Sequence, residues 1–382
     1  MELKTPVTER RKQTRSKIYH HIYKQSSFCS KQTVSRDMGL SLPTVYQNLD
    51  ELIDADLIGY TGTDISSGGR KAKGIDIVSD ARISIGVSIT VDAIHIVAVD
   101  LRLKEICYAS SEYVGQVSFE NISSFLSKKI ESFINNNQID RKKLLGIGIA
   151  VPGILSSDGL SIISAPTLGI RNIKLDSICK AIPYPVYIQN DATCAGQAEW
   201  FVRSQSENAS VGSTMAYLSL EIGVGGALLI NGQVQYGDNY RSSEFGHMVV
   251  EPNGLPCKCG KKGCLEAYCS TRRISDDLNM SLGTFFENVE KGKKKYSDIW
   301  DDYLYHLAIG ICNINIALDC DVVIGGVLSE YLDPYLPKLL EYIDRFSIPG
   351  SRADYIHLSL LKGHCIPLGA SLHYIEDFID SI

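Results

Sequence analysis

His247, Cys257, Cys259 and Cys264 bring one imidazole and three thiols into a single short stretch of the chain. Thiolate sulfur and imidazole nitrogen in that number are the ligand set of tetrahedral structural zinc. Four protein ligands leave no open coordination position, so the metal they would hold is structural rather than catalytic. Gly260 and Gly263 alternate with the cysteines in Cys257-Lys-Cys259-Gly-Lys-Lys-Gly-Cys264, where they permit tight turns around an ion. The plainer alternative is four unrelated side chains, two of them in a basic surface loop. Close crowding of thiols in a chain without a secretion signal argues for the metal. Glu244, His247 and Glu266 belong to the same stretch, and a metal loop would hold them rigidly, as a ligand pocket requires. A second polar group is Gln189-Asn190-Asp191-Ala192, which follows the strand pattern Val186 to Ile188 and opens a helix containing Glu199. Polar residues at the C-terminal end of a strand in an open α/β sheet are where ligand contacts concentrate. Asn-Asp also serves as a plain turn and helix cap, and both roles stay open.

These groups need a scaffold, and the composition supplies one. With 382 residues, 44% of them hydrophobic and 21% charged, the chain is long enough for two or three domains with cores of their own. No apolar run approaches the roughly 20 residues of a membrane helix, and the polar, basic beginning is followed by no apolar signal core. The chain is therefore expected in the cytoplasm, without membrane insertion. Its other cysteines are scattered among apolar neighbours and read as reduced core residues. Charge is uneven. Residues 1–74 carry 12 Lys and Arg against 8 Asp and Glu in a molecule of net charge −6, so a small basic module precedes an acidic bulk, and only the module suits nucleic acid.

Within that module Thr8 to Lys24 has the spacing of an amphipathic helix. Ser30 to Met38 opens on a capping serine and ends at Gly39, and Ser41 caps a further helix with Pro43 in its first turn. Two short helices joined by Gly-Leu-Ser read as a helix-turn-helix. The strand patterns Ile58 onward and Lys73 to Val78 supply a wing. Thr44, Tyr46, Gln47 and Asn48 are expected on the outer face of the second helix, toward base edges and phosphates. Arg70 and Lys71, after Gly68-Gly69, would reach the backbone or the minor groove. A generic three-helix cap is the alternative, and it would more often show Glu and Lys on that face. From Ile83 the pattern alternates through three strands, then a helix from Phe119 to Ile134, then a buried strand Leu145 to Val151 ending at Pro152-Gly153. Similar runs at Thr214 to Leu220, Gly225 to Ile230 and Asp321 to Ile324 indicate an α/β body with two similar halves.

Glu244-x-Gly-His247, nine residues, then Cys-x-Cys-Gly-x-x-Gly-Cys-x-Glu266 resembles the signature of the ROK family of sugar kinases, sugar-responsive repressors and uncharacterised reading frames. The likeness extends more weakly over nearly the whole chain, and the head resembles the winged helix-turn-helix of the family's repressors in its Gly-Leu-Ser turn and Ser-Gly-Gly-Arg run. It implies a duplicated actin-like, ribonuclease-H-like body with a cleft between lobes. It implies that Gly153, Asn190, Asp191, Glu244, His247 and Glu266 hold a sugar, with Asp191 in the place of the kinases' base. The kinases' first phosphate loop, of the type Asp-x-Gly-Gly-Thr, is here Ser88-Ile89-Thr90-Val91-Asp92, which loses the acid and both glycines and turns Asp92 toward the phosphates. Their second, Gly-Thr-Gly-x-Gly, is Glu221-Ile222-Gly223-Val224-Gly225-Gly226, with a carboxylate where a triphosphate would approach. Like charges at such range cost on the order of 1 to 4 kcal/mol.

The expectation is a sugar-responsive transcriptional repressor, not an enzyme, with residues 1–80 as the DNA-binding head. Residues 81–190 form the first lobe and 191–382 the second, with the zinc loop and a dimerisation surface. Its partners would be operator DNA, a monosaccharide or sugar-phosphate effector, and its own copies as a homodimer or dimer of dimers. The alternatives are a sugar kinase with an added head and a DNA-binding protein whose body only dimerises.

Overall fold

The computed structural model describes residues 7–25, 29–65, 72–112, 122–206, 211–350 and 352–382. In α1 (Val7–Tyr23) the residues Ile18, Tyr19 and Ile22 share one face and are buried together. Two serines then start two helices by the same device. Ser30 Oγ accepts from Thr33 N (3.1 Å) ahead of α2 (Lys31–Met38), and Ser41 Oγ accepts from Thr44 N (3.3 Å) ahead of α3 (Leu42–Asp54). Each satisfies an amide that the helix itself leaves unpaired. Gly39, at φ 63°, closes α2 in the left-handed region and turns the chain into α3, which buries Val45, Leu49 and Leu52 against α1 and α2. β1 (Ile58–Ile65) and β2 (Ala72–Ile77) pair antiparallel beside them. Arg70 and Lys71, between these strands, lie outside the described residues, as does Phe119.

The body repeats one topology. In the first lobe β3 (Ile83–Ile89), β4 (Ala93–Val99) and β5 (Glu105–Glu112) form an antiparallel meander. After α4 (Ile122–Asn136), β6 (Leu144–Val151) joins β3 in parallel. A small sheet of β7 (Ile154–Leu155), β8 (Ser161–Ala165) and β9 (Ile170–Lys174) follows, then α5 (Asp176–Ala181) and β10 (Val186–Asn190), parallel to β6. The order across the sheet is β10-β6-β3-β4-β5. After α6 (Asp191–Ser204) the pattern recurs with β11 (Thr214–Leu220), β12 (Val224–Ile230) and β13 (Gln233–Val234). Then come α7 (Leu265–Cys269), α8 (Arg272–Leu278), α9 (Leu282–Glu290) and α10 (Lys294–Leu318). β14 (Asp321–Gly325), α11 (Leu336–Phe346), β15 (Ile356–Leu358) and α12 (Cys365–Ser381) complete it, and the second sheet runs β13-β12-β11-β14-β15. Meander, parallel strand, parallel strand is thus written twice, as the two similar hydropathy runs indicated.

The helix that closes each repeat packs across to the other. α6 lies on β11 and β12 of the second lobe, while α12 lies on β3 and β6 of the first, and the two helices pack on each other. This corrects the expected boundary. Residues 191–382 do not all belong to the second lobe, because α12 meets the first-lobe sheet backbone to backbone. A Cβ on Gly86 would fall 1.7 Å from Pro367 O, and one on Gly148 would fall 1.7 Å from Ala370 O. Nor does the head stand apart. Ile18, Tyr19, Ile22, Val45 and Leu49 share one apolar cluster with Val97, Val99 and Leu101 of the first lobe and Leu372, Ile375 and Ile379 of α12. Tyr23 donates to Leu101 O (2.6 Å), and Arg102 pairs with Asp76 (2.7 Å) across the same seam. Among the described residues no helix is long and apolar enough to cross a membrane.

Candidate ligand cleft and metal centre

β10 ends where the cleft begins. Asn190 caps α6, its Oδ1 accepting from Thr193 N (2.9 Å), and it also donates through Nδ2 to Gly153 O (3.0 Å). Cap and cleft wall are therefore one residue, which leaves it one amide hydrogen and one lone pair for a ligand. Gly153 sits at φ 106° with a would-be Cβ 2.4 Å from Ser164 O, so only glycine fits there. Asp191 accepts from Ala192 N (2.8 Å) through one oxygen. Burial pushes its carboxyl up to about 6, the Ala192 amide pulls it back, and Glu244 adds to the rise.

Gly153, Asn190, Asp191, Glu244, His247 and Glu266 all line one cavity of about 310 Å³ between the lobes. The cavity's other wall is the β11–β12 turn and the β3–β4 turn. Glu221 lines it, half-buried, with Oε1 accepting from Val327 N (3.1 Å). Burial pushes Glu221 up to about 7, the Val327 amide lowers it, and Asp191 and Glu330 raise it further. Ile89, Thr90 and Val91 line the cavity as well, so β-branched side chains stand where a glycine loop would leave room for phosphates. Asp92 does not line it. Its carboxylate is exposed and accepts from Thr90 Oγ1 (2.8 Å), which corrects the expectation that it faces a phosphate.

The remaining glycines of the β11–β12 turn serve packing. A Cβ on Gly223 would fall 2.8 Å from Glu266 Oε2, one on Gly225 would fall 2.6 Å from Ala192 Cβ, and one on Gly226 would fall 2.4 Å from Phe245. Glu266 Oε2 accepts from Val224 N (3.2 Å), and Glu266 Oε1 lies 3.5 Å from Cys257 Sγ, so this carboxylate joins the turn to the thiol loop.

In that loop the donor atoms of His247, Cys257, Cys259 and Cys264 all lie within 4.8 Å of one another. Cys259 Sγ and Cys264 Sγ are 3.7 Å apart, and Cys257 Sγ and His247 Nδ1 are 3.9 Å apart. A tetrahedron with arms of ~2.3 Å has edges of about 3.8 Å, so these two separations match those edges, and all four donors lie close enough together to share one ion. Gly260 at φ 91° and Gly263 at φ 76° make the turns between them, and a Cβ on Gly263 would fall 1.8 Å from Glu251 O. His247 presents Nδ1 to this centre, while its Nε2 lies 3.9 Å from Glu244 Oε2 on the cavity side. At that distance the carboxylate faces the second ring nitrogen without accepting a hydrogen bond from it.

Several cleft residues carry no motif. Thr167 and Arg171 reach the cavity from the β8–β9 hairpin, Lys258 from inside the thiol loop, and Arg272 from α8. Lys258 alone had a signal, its place between two metal ligands. On the head, Thr44, Tyr46 and Gln47 do lie on the open side of α3, with Tyr46 42% exposed. Asn48 does not. It is buried and donates to Thr44 O (2.8 Å), one helical turn back, because Leu49 and Val45 on either side belong to the core. Lys31 Nζ lies 4.2 Å from the Tyr46 ring and 5.3 Å from the exposed Tyr60 ring, and Lys73 Nζ lies 5.7 Å from Tyr60. Helix and hairpin thus meet in a patch of cations over tyrosines that no linear pattern contains.

A family model described as ROK family matches residues 84–362. The chain is 28% identical over 385 residues to the xylose repressor of Caldicellulosiruptor bescii, covering 92% of each chain. It is 26% identical over 375 residues to that of Bacillus spizizenii, covering 94% of each. A glucokinase of Halalkalibacterium halodurans is 28% identical over 258 residues, 62% of this chain and 76% of the enzyme. Among solved structures, a ROK family transcriptional regulator described as a homologue of the E. coli MLC protein superposes with a TM-score of 0.76 at 22% identity, covering 97% of each chain. A ROK hexokinase from Thermus thermophilus gives 0.62 at 23%, covering 78% of this chain and 99% of the enzyme.

Proposed function

The chain belongs to the ROK family, and from that premise we propose that it is a sugar-responsive repressor that binds operator DNA through its head and a sugar in the cleft. The observation that carries this is coverage. The likeness to the repressors spans more than nine-tenths of the chain and so cannot omit the head, while the likeness to the glucokinase spans less than two-thirds. Residues 1–80 act as a winged helix-turn-helix, with α3 in the major groove. Thr44, Tyr46 and Gln47 stand toward the bases, and Lys31, Lys73, Arg70 and Lys71 toward phosphates or the minor groove. Two copies related by a two-fold axis match two half-sites, so the working form is a homodimer or a pair of dimers, acting in the cytoplasm.

In the cleft, Asn190, Asp191, Glu244, His247 and Glu266 exchange hydrogen bonds with the hydroxyls of a monosaccharide or sugar phosphate, and Gly153 lets backbone approach the ring. His247, Cys257, Cys259 and Cys264 hold a structural zinc ion that fixes Glu244 and Glu266 in place. The sugar changes operator affinity only through its different affinity for two arrangements of the molecule.

A second reading, a sugar kinase with an added head, is favoured by Asp191, which lines the cleft where a base would stand. It is opposed by Glu221, Thr90 and Val91 at the phosphate position, since phosphoryl transfer depends on positioning and neutralising the triphosphate. The test has two arms. DNA selected from genomic fragments by the full chain should share a two-fold-related sequence, and one of D-xylose, D-glucose or N-acetyl-D-glucosamine should shift its affinity. No preferred sequence would overturn the repressor reading. ADP release above about 1 per second with any of these sugars would restore the kinase.

A further inference from the structure

α12 runs from the cleft to the head. Its 17 residues span about 25 Å at the helical rise of 1.5 Å per residue. At the cleft end Ile366 lines the cavity, and Cys365 accepts from Tyr217 of β11 (3.9 Å). At the far end Arg82, beside the seam, sits 5.2 Å from the Phe378 ring. Asp380 Oδ1 lies 3.3 Å from His20 Nε2 of α1, and Ile382 O accepts from Arg15 Nη2 of α1 (3.4 Å). Leu372, Ile375 and Ile379 complete the apolar cluster that contains Ile18, Tyr19 and Ile22.

Between its ends α12 has little side-chain slack. A Cβ on Gly369 would fall 1.8 Å from Cys194 O of α6, so the two helix backbones touch there, as α12 touches β3 and β6 at Gly86 and Gly148. Ser84 Oγ donates to Ser371 O (2.8 Å). α6 itself starts at Asn190 and Asp191 in the cleft, and its other end clamps the segment leading into α12. There Glu199, buried and paired with Arg203 (2.6 Å), accepts from Ser359 Oγ (2.7 Å) and from the amides of Leu360 (2.9 Å) and Leu361 (3.2 Å). A further link leaves Asn190 directly. Gln189 Oε1 holds the Asn190 amide (2.7 Å), Gln189 Nε2 donates to Tyr187 OH (3.0 Å), and the Tyr187 ring stacks on His373 of α12 at 3.7 Å.

We propose that α12 is the rod that carries the state of the cleft to the DNA-binding head: closure of the lobes on a sugar moves α6 and α12 as one body, and α1 follows. The inference rests on the repressor reading and adds the element that links its two sites. Backbone contacts at glycines contain no rotamers to absorb a shift, so a change at Asn190 and Ile366 is passed along the helix rather than dissipated. The quantity that reports this coupling is the factor by which sugar changes DNA affinity.

The test cuts the rod at its head end, away from sugar and DNA contacts, with Phe378→Ala and Asp380→Asn together in the full chain. D-xylose, D-glucose and N-acetyl-D-glucosamine are the probes, and the DNA is the fragment selected by the unmodified protein. The expected result is sugar affinity within about twofold of the parent and a coupling factor reduced at least tenfold. An unchanged coupling factor overturns the proposal. Hydrogen exchange on the unmodified protein gives a second measurement that decides if the variant loses DNA binding. Sugar should alter the protection of amides in the last two turns of α12 and in α1, and protection unmoved in both overturns the proposal. If no probe sugar binds the unmodified protein, the sugar-sensing reading falls instead, and the two failures are told apart.

Discussion

Glu221 is the residue at which this cleft departs furthest from a phosphate site, and its ionisation has a measurable sign. Burial raises its carboxyl from 4.5 to about 7, so the folded chain keeps a proton that the unfolded chain has released. Its contribution to stability is therefore complete below about pH 4.5, declines as pH rises through about 7, and is constant beyond. Glu221→Gln keeps an acceptor for the Val327 amide and removes the charge. It should raise the unfolding free energy by roughly 2 to 3 kcal/mol at pH 8 and change it little at pH 4.5, as read from denaturant melts at both values. A gain equal at the two pH values would place the effect in packing rather than in charge. For the metal loop, Cys259→Ser should abolish stoichiometric zinc by elemental analysis and cost at least ~3 kcal/mol of stability, well beyond the ~1 kcal/mol of an ordinary substitution. Sugar affinity should fall with it, because Glu244, His247 and Glu266 are held by the loop. Retention of zinc by the variant would remove Cys259 from the ligand set. The clustering of His247 with Cys257, Cys259 and Cys264 was legible in the sequence because the four side chains and their glycines fall in one short stretch with fixed spacing. Arg171, Thr167 and Arg272 were not, since each reaches the cavity from a separate element whose place is set only by tertiary packing.

At the scale of elements, α2 and α3 were legible to within a residue or so, because the capping serines, Gly39 and Pro43 act locally. The face that α3 shows to solvent was legible less well. Asn48 lies one residue from Leu49 and turns inward with it, and a polar type alone does not tell an outer position from an inner one that caps its own backbone. Asp92 misled for a related reason, since a turn residue that accepts from Thr90 Oγ1 is held away from the cleft. The patch where α2, α3 and the hairpin meet yields its own expectation. Lys31→Ala and Lys73→Ala should each lower DNA affinity about equally across sequences. Each should reduce the slope of log affinity against log salt by about 1, the mark of a lost phosphate contact. A loss of sequence preference with an unchanged slope would instead assign these lysines to base edges.

Over the whole molecule, the doubled order of strands was legible as two similar hydropathy runs, but the exchange of closing helices was not. Periodicity reports which face of α6 or α12 is apolar and says nothing of which lobe receives it, and the backbone contacts at Gly86, Gly148 and Gly369 leave no side-chain pattern to read. The shared cluster of head, first lobe and α12 predicts that the two ends of the protein melt together. A body beginning after residue 80 would expose Val97, Val99, Leu101, Leu372, Ile375 and Ile379. It should bind a hydrophobic dye, self-associate and melt several degrees below the full chain, by ~1 kcal/mol or more for each large side chain uncovered. A truncated body that stays monomeric and melts as the parent does would refute the shared core. The same cluster governs how such a protein can acquire a new target. Recombination at the boundary between head and body would pair an incoming α1 with an α12 shaped for another, so an exchanged head arrives with its own seam mismatched. If α3 reads the operator as proposed, new DNA specificity is reached most readily by point substitution at Tyr46 and Gln47, which are exposed and lie outside the shared core, whereas Thr44 also bonds the Ser41 hydroxyl that caps α3.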